Sequence, residues 1–164
     1  KYAVGHGLAP RLTYGFSLGA EWNGFDFSCL FQGNAGLQVY WQDKFYMGYI
    51  NYGDVINKEI AEGAWREGRT NATYPRLLTG LNTLNAQPSD FWVQNKSYLR
   101  LKNVQIGYKI PKKLLQKLDI SQLRLYTSLE NMLTFTSYKG IDPEISGTTY
   151  PTMKQITVGV NVVF

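Results

Sequence analysis

Cysteine and histidine are almost missing from this chain of 164 residues: Cys29 and His6 are single occurrences. One cysteine excludes an internal disulfide. Neither residue has a Cys or His partner nearby, so metal chemistry is not expected. The chain also lacks a Ser/His/Asp arrangement and a phosphate-binding loop. No catalytic, cofactor-binding or metal-binding residue is assigned, and an enzyme is not expected. Missing too is any apolar run near the roughly 20 residues that a membrane-crossing helix needs, so passage through a bilayer would have to be made by β-strands. Lys1-Tyr2-Ala3-Val4 contains neither an initiator methionine nor a basic-then-apolar leader. The chain therefore reads as a piece of something longer or a processed product.

What is abundant is aromatic side chain and glycine: Tyr 12, Phe 8, Trp 4 and Gly 16, within a hydrophobic content of 44%. That mixture favours β structure with many turns. A mean hydropathy of -0.26 does not argue against a membrane. A barrel strand alternates a lipid-facing residue with a lumen-facing one and so averages near neutrality. The formal charge of +5 is scattered, its tightest cluster being Lys112, Lys113 and Lys117. These read as solvated turn charges, and no nucleic-acid partner is expected.

Five strands follow from alternation. From Leu12 to Trp22 every second residue is apolar, against Thr13, Gly15, Ser17, Gly19 and Glu21. Asn23-Gly24 is a strong hairpin signal, because both residues tolerate positive φ. Phe25, Phe27, Cys29 and Phe31 then share a face. A third strand spans about 97–110, a fourth 122–135 and a last 153–164, with Ile156, Val158, Val160, Val162 and Phe164 on one face. Leu99 and Leu101 have the opposite parity from Val104 and Ile106, which predicts a bulge or face change near Lys102-Asn103.

The first two strands cover about 11–22 and 25–33, and the connections read short (23–24), long (34–95), short (111–121) and long (136–152). Outer-membrane barrels have this asymmetry, so 34–95 and 136–152 are expected as extracellular loops and the short links as periplasmic turns. Within the first loop Asp54–Trp65 is expected to form a short helix capped by Asp54. A soluble carbohydrate-binding β-sandwich would alternate as well. Three features favour the barrel. The polar faces carry Gly, Ser, Thr, Asn and Gln more than Lys and Glu. Trp22, Tyr108 and Phe164 fall at expected periplasmic strand ends, where an aromatic girdle belongs. The chain also stops on an aromatic residue that ends an alternating strand.

The sequence resembles the SusC/RagA family of TonB-dependent transporters. The resemblance is carried by Tyr14-Gly15-Phe16-Ser17-Leu18-Gly19-Ala20 and Phe31-Gln32-Gly33, and more strongly by Ser97-Tyr98-Leu99-Arg100-Leu101-Lys102-Asn103-Val104, Ile106-Gly107-Tyr108, Glu130-Asn131-Met132-Leu133-Thr134-Phe135-Thr136 and Gly140-Ile141-Asp142-Pro143-Glu144. It implies an all-β fold in which five antiparallel strands form the C-terminal part of a transmembrane barrel of about 22 strands around an N-terminal plug. It also implies location in the bacterial outer membrane, crossed several times, and active uptake of oligosaccharides or peptides. The implied partners are the remaining N-terminal part of the transporter, a SusD-like surface lipoprotein, the TonB-ExbB-ExbD complex reached through that N-terminus, and outer-membrane lipid with its assembly machinery. A siderophore-type TonB-dependent receptor would share the strand pattern.

Tyr40, Trp41, Phe45, Tyr46, Tyr49, Tyr52, Trp65, Phe91 and Trp92 are candidates for stacking on a sugar or packing against the lipoprotein lid. Tyr40, Trp41, Tyr46, Trp65 and Trp92 lead that group. Phe164 is the candidate barrel-assembly signal, since an open edge strand with a terminal aromatic is a template for β-augmentation. Asp142-Pro143-Glu144 is read as turn chemistry rather than as an acid pair.

Overall fold

The computed structural model describes residues 9–40, 49–50, 56–79, 87, 89–116, 119–145 and 150–164. In chain order the elements are β1 (Leu12–Trp22), β2 (Phe25–Ala35), β3 (Gln38–Tyr40), β4 (Tyr49–Ile50), α1 (Lys58–Gly63), β5 (Leu78–Thr79), a 3-10 turn (Asp90–Trp92), β6 (Val93–Asn95), β7 (Tyr98–Lys109), α2 (Lys112–Leu115), β8 (Gln122–Thr136) and β9 (Gln155–Val163). They belong to two compact units, one of residues 8–37 with 95–164 and one of residues 1–7 with 38–94.

The first unit is a single antiparallel sheet in the order β1-β2-β7-β8-β9. Its strands are 11, 11, 12, 15 and 9 residues long. These lengths suit a bilayer, whose hydrocarbon takes roughly 9–11 residues of tilted strand. Asn23 (φ 47) and Gly24 (φ 87) close the first hairpin between the paired Trp22 and Phe25. Two successive positive-φ residues match the right-handed twist of the flanking strands. No described helix is long and apolar enough to cross a membrane, which says nothing of strands.

Register sorts the residues into rows. On one face run Trp22, Phe25, Tyr108, Leu125 and Val160, then Ala20, Phe27, Ile106, Thr127 and Val158, then Leu18, Cys29, Val104, Leu129 and Ile156. This face is apolar yet open: Trp22 is 78% exposed and Val158 77%. On the other face lie Glu21, Asp26, Gly107, Tyr126 and Gly159, and beside them Gly19, Ser28, Gln105, Ser128 and Thr157. Here polar side chains are buried, Arg100 and Ser128 among them. In water the large apolar residues would be inside. Reversal of that order across five strands fits a sheet with lipid on its apolar side. A sandwich would need a second sheet to cover it. The other described sheets are two-stranded pairs, β3-β6 and β4-β5, of two or three residues per strand.

The parity conflict in β7 is resolved by a bulge. Leu101 faces Phe31 and Leu133 while Asn103 faces Leu30 and Glu130, which leaves Lys102 outside both ladders. The extra residue returns Leu99 and Leu101 to the apolar face that Val104 and Ile106 occupy. On β8 the irregularity is absorbed at Asn131, whose φ is 53. At the opposite end of the sheet Asp26 of β2 and Arg124 of β8 reach over β7, with Nε to Oδ2 at 2.8 Å. They meet above Gly107, where a Cβ would stand 2.6 Å from both atoms. Glycine at that point lets an ion pair skip a strand.

Several expectations are corrected. The helix begins at Lys58, not after Asp54, because Asn57 caps it by accepting the Glu59 N–H at 2.9 Å. It stops at Gly63, since Ala64 turns extended to bridge Tyr74. Asp54 lies outside the described residues. The segment 34–95, read as a long loop with one short helix, also contains β3 to β6, and β2 itself continues to Ala35. β9 begins at Gln155 and ends at Val163, so Phe164 projects one residue beyond it. The solvated reading of the cations holds for the exposed Lys112 and Lys113 but fails for Lys96 and Arg100, which are 5% and 3% exposed. Lys117 lies outside the described residues.

Candidate functional site

Within the second unit, a short helix and a tight return build an aromatic cleft. The Gly63 carbonyl accepts the N–H groups of Thr73 and Tyr74 at 3.0 and 3.1 Å, and Trp65 donates its N–H to the Tyr74 carbonyl at 2.9 Å. The Arg69 guanidinium ties the return to the carbonyls of Glu62 and Ala64. The Tyr74 hydroxyl donates to Glu59 Oε1 at 3.0 Å. These bonds set the backbone that carries Trp65 and Tyr74.

The opposing wall is the 3-10 turn. Trp92 is 3% exposed and forms a base against which Phe91 stands edge-on, ring centroids 4.8 Å apart. Phe91 is in turn edge-on to Tyr74 at 6.2 Å. Such edge-to-face pairs are favoured by the ring quadrupoles and fix the rings without polar bonds. Trp65 and Phe91 remain 44% and 49% exposed. Between them opens a cleft of about 610 Å³, lined also by Thr73, Pro75, Arg76 and Ser89. The Arg76 guanidinium lies 5.8 Å from the Trp65 ring centre.

Of the expected ligand or lid residues, the structure brings together Trp65, Phe91 and Trp92. Tyr40 is placed elsewhere in the same unit, its hydroxyl donating to the Gln87 carbonyl at 3.2 Å. The backbone of Tyr49 lies in β4; Trp41, Phe45, Tyr46 and Tyr52 fall outside the described residues. Tyr74 and Arg76 were missed. They sit in Thr73-Tyr74-Pro75-Arg76, which has no period of its own, and only the return to Gly63 reveals their place.

The sheet unit holds a second constellation. Arg100 points from β7 to the segment after β8 and bonds Asp142 Oδ1 at 2.8 Å and Glu144 Oε2 at 2.7 Å, while its Nε donates to Thr134 Oγ1 at 2.8 Å. Lys102, the bulged residue, meets Glu144 at 2.7 Å. Lys96 donates to the Ile145 carbonyl and lies 5.5 Å from the Tyr138 ring centre. Asp142 also accepts the N–H groups of Glu144 at 2.8 Å and Thr152 at 3.1 Å. Turn chemistry is therefore present in Asp142-Pro143-Glu144, and it also forms the carboxylate half of a buried ionic latch.

Burial pushes the Asp142 carboxyl up, but the bonds from the Glu144 N–H, Arg100 and Thr152 outweigh it and hold the group below its ordinary 3.8. Burial lowers Lys96, with the Asp142 charge acting against that. Every charge in the latch has an opposite partner or a carbonyl, the condition under which buried ions are tolerated.

No family model matches the chain. Among curated proteins it is 31% identical over 171 residues to TonB-dependent receptor P3 of Formosa agariphila, covering 94% of this chain and 16% of that one. It is 25% identical over 169 residues to TonB-dependent receptor SusC of Bacteroides thetaiotaomicron, covering 95% and 15%. Among solved structures, one of the RagAB peptide importer in an open-open state superposes with a TM-score of 0.73 at 31% identity, over 96% of this chain and 17% of that one. The chain thus spans about one sixth of the proteins it matches. Their names are those of receptors and importers rather than enzymes. With its inside-out sheet and these likenesses along nearly all of its length, the chain is recognised as SusC/RagA-like, homologous to part of a TonB-dependent receptor.

Proposed function

We propose that the chain is the C-terminal barrel portion of an outer-membrane TonB-dependent active transporter, one that imports oligosaccharides or peptides together with a SusD-like lipoprotein. The observation that carries this reading is the sheet itself: one face apolar and open, the other polar and holding buried ion pairs. In the whole transporter the sheet contributes wall, and the segments 34–95 and 136–152 face the extracellular mouth. The rest of the barrel, of about 22 strands, and the plug come from the N-terminal part. That part also supplies the contact with TonB-ExbB-ExbD. The apolar face meets lipid, and Phe164 presents itself to the assembly machinery.

The test uses the full parent protein in its own outer membrane. The expected result is a detergent-extracted, heat-modifiable species several times longer than this chain, associated with a surface lipoprotein. Cells lacking it lose uptake of a labelled oligosaccharide or peptide, and a protonophore abolishes uptake in cells that have it. A native species of 18.7 kDa, soluble without detergent, overturns the proposal.

A further inference from the structure

The charged side chains on the strands of the five-stranded sheet stand on its polar face or at the bulge, and all but one are paired. Lys109 meets Glu21 at 3.3 Å, Arg124 bonds Asp26, and Arg100 and Lys102 bond Asp142 and Glu144. Glu130 of β8 is the exception: half-buried, it bonds none of the described residues. Its row across the sheet reads Leu30, Asn103, Glu130 and Gln155. Asn103 and Gln155 flank the carboxylate but donate their amide N–H groups to hydroxyls of the next row, Ser128 at 3.0 Å and Thr157 at 3.3 Å. Leu30, two strands away, keeps 43% of its surface exposed on this polar face.

A carboxylate partly withdrawn from water and left unpaired calls for a cation. A divalent metal would need further carboxylates or carbonyls around it, and no three His, Cys, Asp or Glu side chains gather among the described residues. An anion is repelled, and a neutral sugar leaves the charge unanswered. A cation on an apolar stem answers both parts of the row, its stem toward Leu30 and its charge at Glu130. Leu30 and Glu130 stand two strand spacings apart, roughly 10 Å, which a lysine or arginine side chain laid along the wall bridges with the reach of the two residues themselves.

We propose that Glu130 is a substrate-binding residue of the lumen wall, taking the ammonium or guanidinium of a basic side chain in a peptide, with Leu30 against that side chain's stem. The inference rests on the transporter reading and narrows its substrate to peptides bearing lysine or arginine. A charge-assisted hydrogen bond to a carboxylate is among the stronger polar contacts, and here the carboxylate has no bond within the sheet to give up first.

The experiment takes the full parent transporter in detergent and measures calorimetric binding of a short alanine peptide, capped at both ends, that carries one central lysine. The same peptide with norleucine or glutamate in that place, and a malto-oligosaccharide, serve as comparisons. Wild type is expected to prefer the lysine peptide. Glu130→Gln weakens that binding by about tenfold or more, the scale of a lost charge-assisted hydrogen bond, and leaves the norleucine peptide nearly unchanged. Glu130→Lys turns the preference toward the glutamate peptide, and Leu30→Ser weakens the lysine and norleucine peptides alike. Heat-modifiability confirms that each variant is assembled. If Glu130→Lys does not assemble, Glu130→Gln, which removes the charge and keeps the shape, decides the matter. Equal binding of the lysine and norleucine peptides, a lysine-peptide affinity indifferent to Glu130→Gln, preference for the malto-oligosaccharide, or no binding at all overturns the inference. A Glu130→Gln protein that binds as wild type does but unfolds at a lower temperature overturns it too, and assigns the carboxylate to a cation of the N-terminal part. Energised uptake of labelled oligosaccharides and peptides by wild-type cells is measured alongside. Uptake that persists without a preference for basic peptides sinks this assignment alone; absent uptake sinks the transporter reading.

Discussion

Arg100 and Asp142 stand 42 positions apart in the chain and meet at 2.8 Å, with side chains only 4% and 5% exposed. The pair fastens the segment after β8 onto the polar face of β7. It also joins the Arg100-Leu101-Lys102 stretch to Asp142-Pro143-Glu144, two motifs that the sequence presents as unrelated.

Asp142→Ala is expected to leave Arg100 buried beside Glu144 alone and to free the Thr152 and Glu144 N–H groups. Removing one partner of a buried ion pair costs about 3–5 kcal/mol. Much of it should appear locally, as lost hydrogen-exchange protection over 137–145 in the intact transporter. Unchanged protection there would show that the ion pair does not hold the segment.

The same latch has a defined pH response. A carboxyl whose folded pKa is depressed contributes stability above its ordinary value and loses it as pH falls through the folded one. Asp142 is held below 3.8. Protection of 137–145, corrected for intrinsic exchange, is therefore expected to stay level from neutral pH down to about 4 and to fall only below that. Release beginning near pH 6 would show that the carboxyl is not stabilised as its bonds require.

Gly33→Ala tests packing on the apolar face. Tyr14 lies over Gly33 and donates its hydroxyl to the Tyr98 carbonyl at 3.1 Å. A Cβ on Gly33 would stand 2.7 Å from Tyr14 Cζ and press still closer on the Tyr98 carbonyl oxygen, which is backbone and cannot step aside. The expected cost is about 1–3 kcal/mol, read as a lower unfolding temperature of the heat-modifiable form. No change would mean that β2 and β7 separate easily at this point.

Phe164 is 87% exposed and lies past the last ladder pair. Phe164→Ser should leave the register of β9 intact while lowering the yield of assembled barrel in outer-membrane fractions. An unaltered yield would remove its proposed part in assembly.

The sheet was legible because each strand alternates over many residues and Asn23-Gly24 marks its turn. Even the irregularity could be located, since Leu99 and Val104 cannot share a face without an extra residue between them. The ionic latch was not legible: nothing local in Asp142-Pro143-Glu144 tells a solvated turn from a buried carboxylate pair, because its partners come from a strand 42 residues earlier. The aromatic cleft was half legible. Trp65 and Trp92 stand out by residue type, whereas Tyr74 and Arg76 gain their meaning from three backbone bonds that bring 73–74 back to 63–65.

The bulge at Lys102 makes the third long strand a device that counts in odd and even. On either side of it the chain is in a different phase, so losing one residue anywhere between Tyr98 and Lys109 changes which side of a wall a run of side chains occupies, not merely where the run ends. Natural variation in this stretch should therefore come in substitutions and in paired insertions, while single insertions and deletions are weeded out even where the local residues tolerate any replacement.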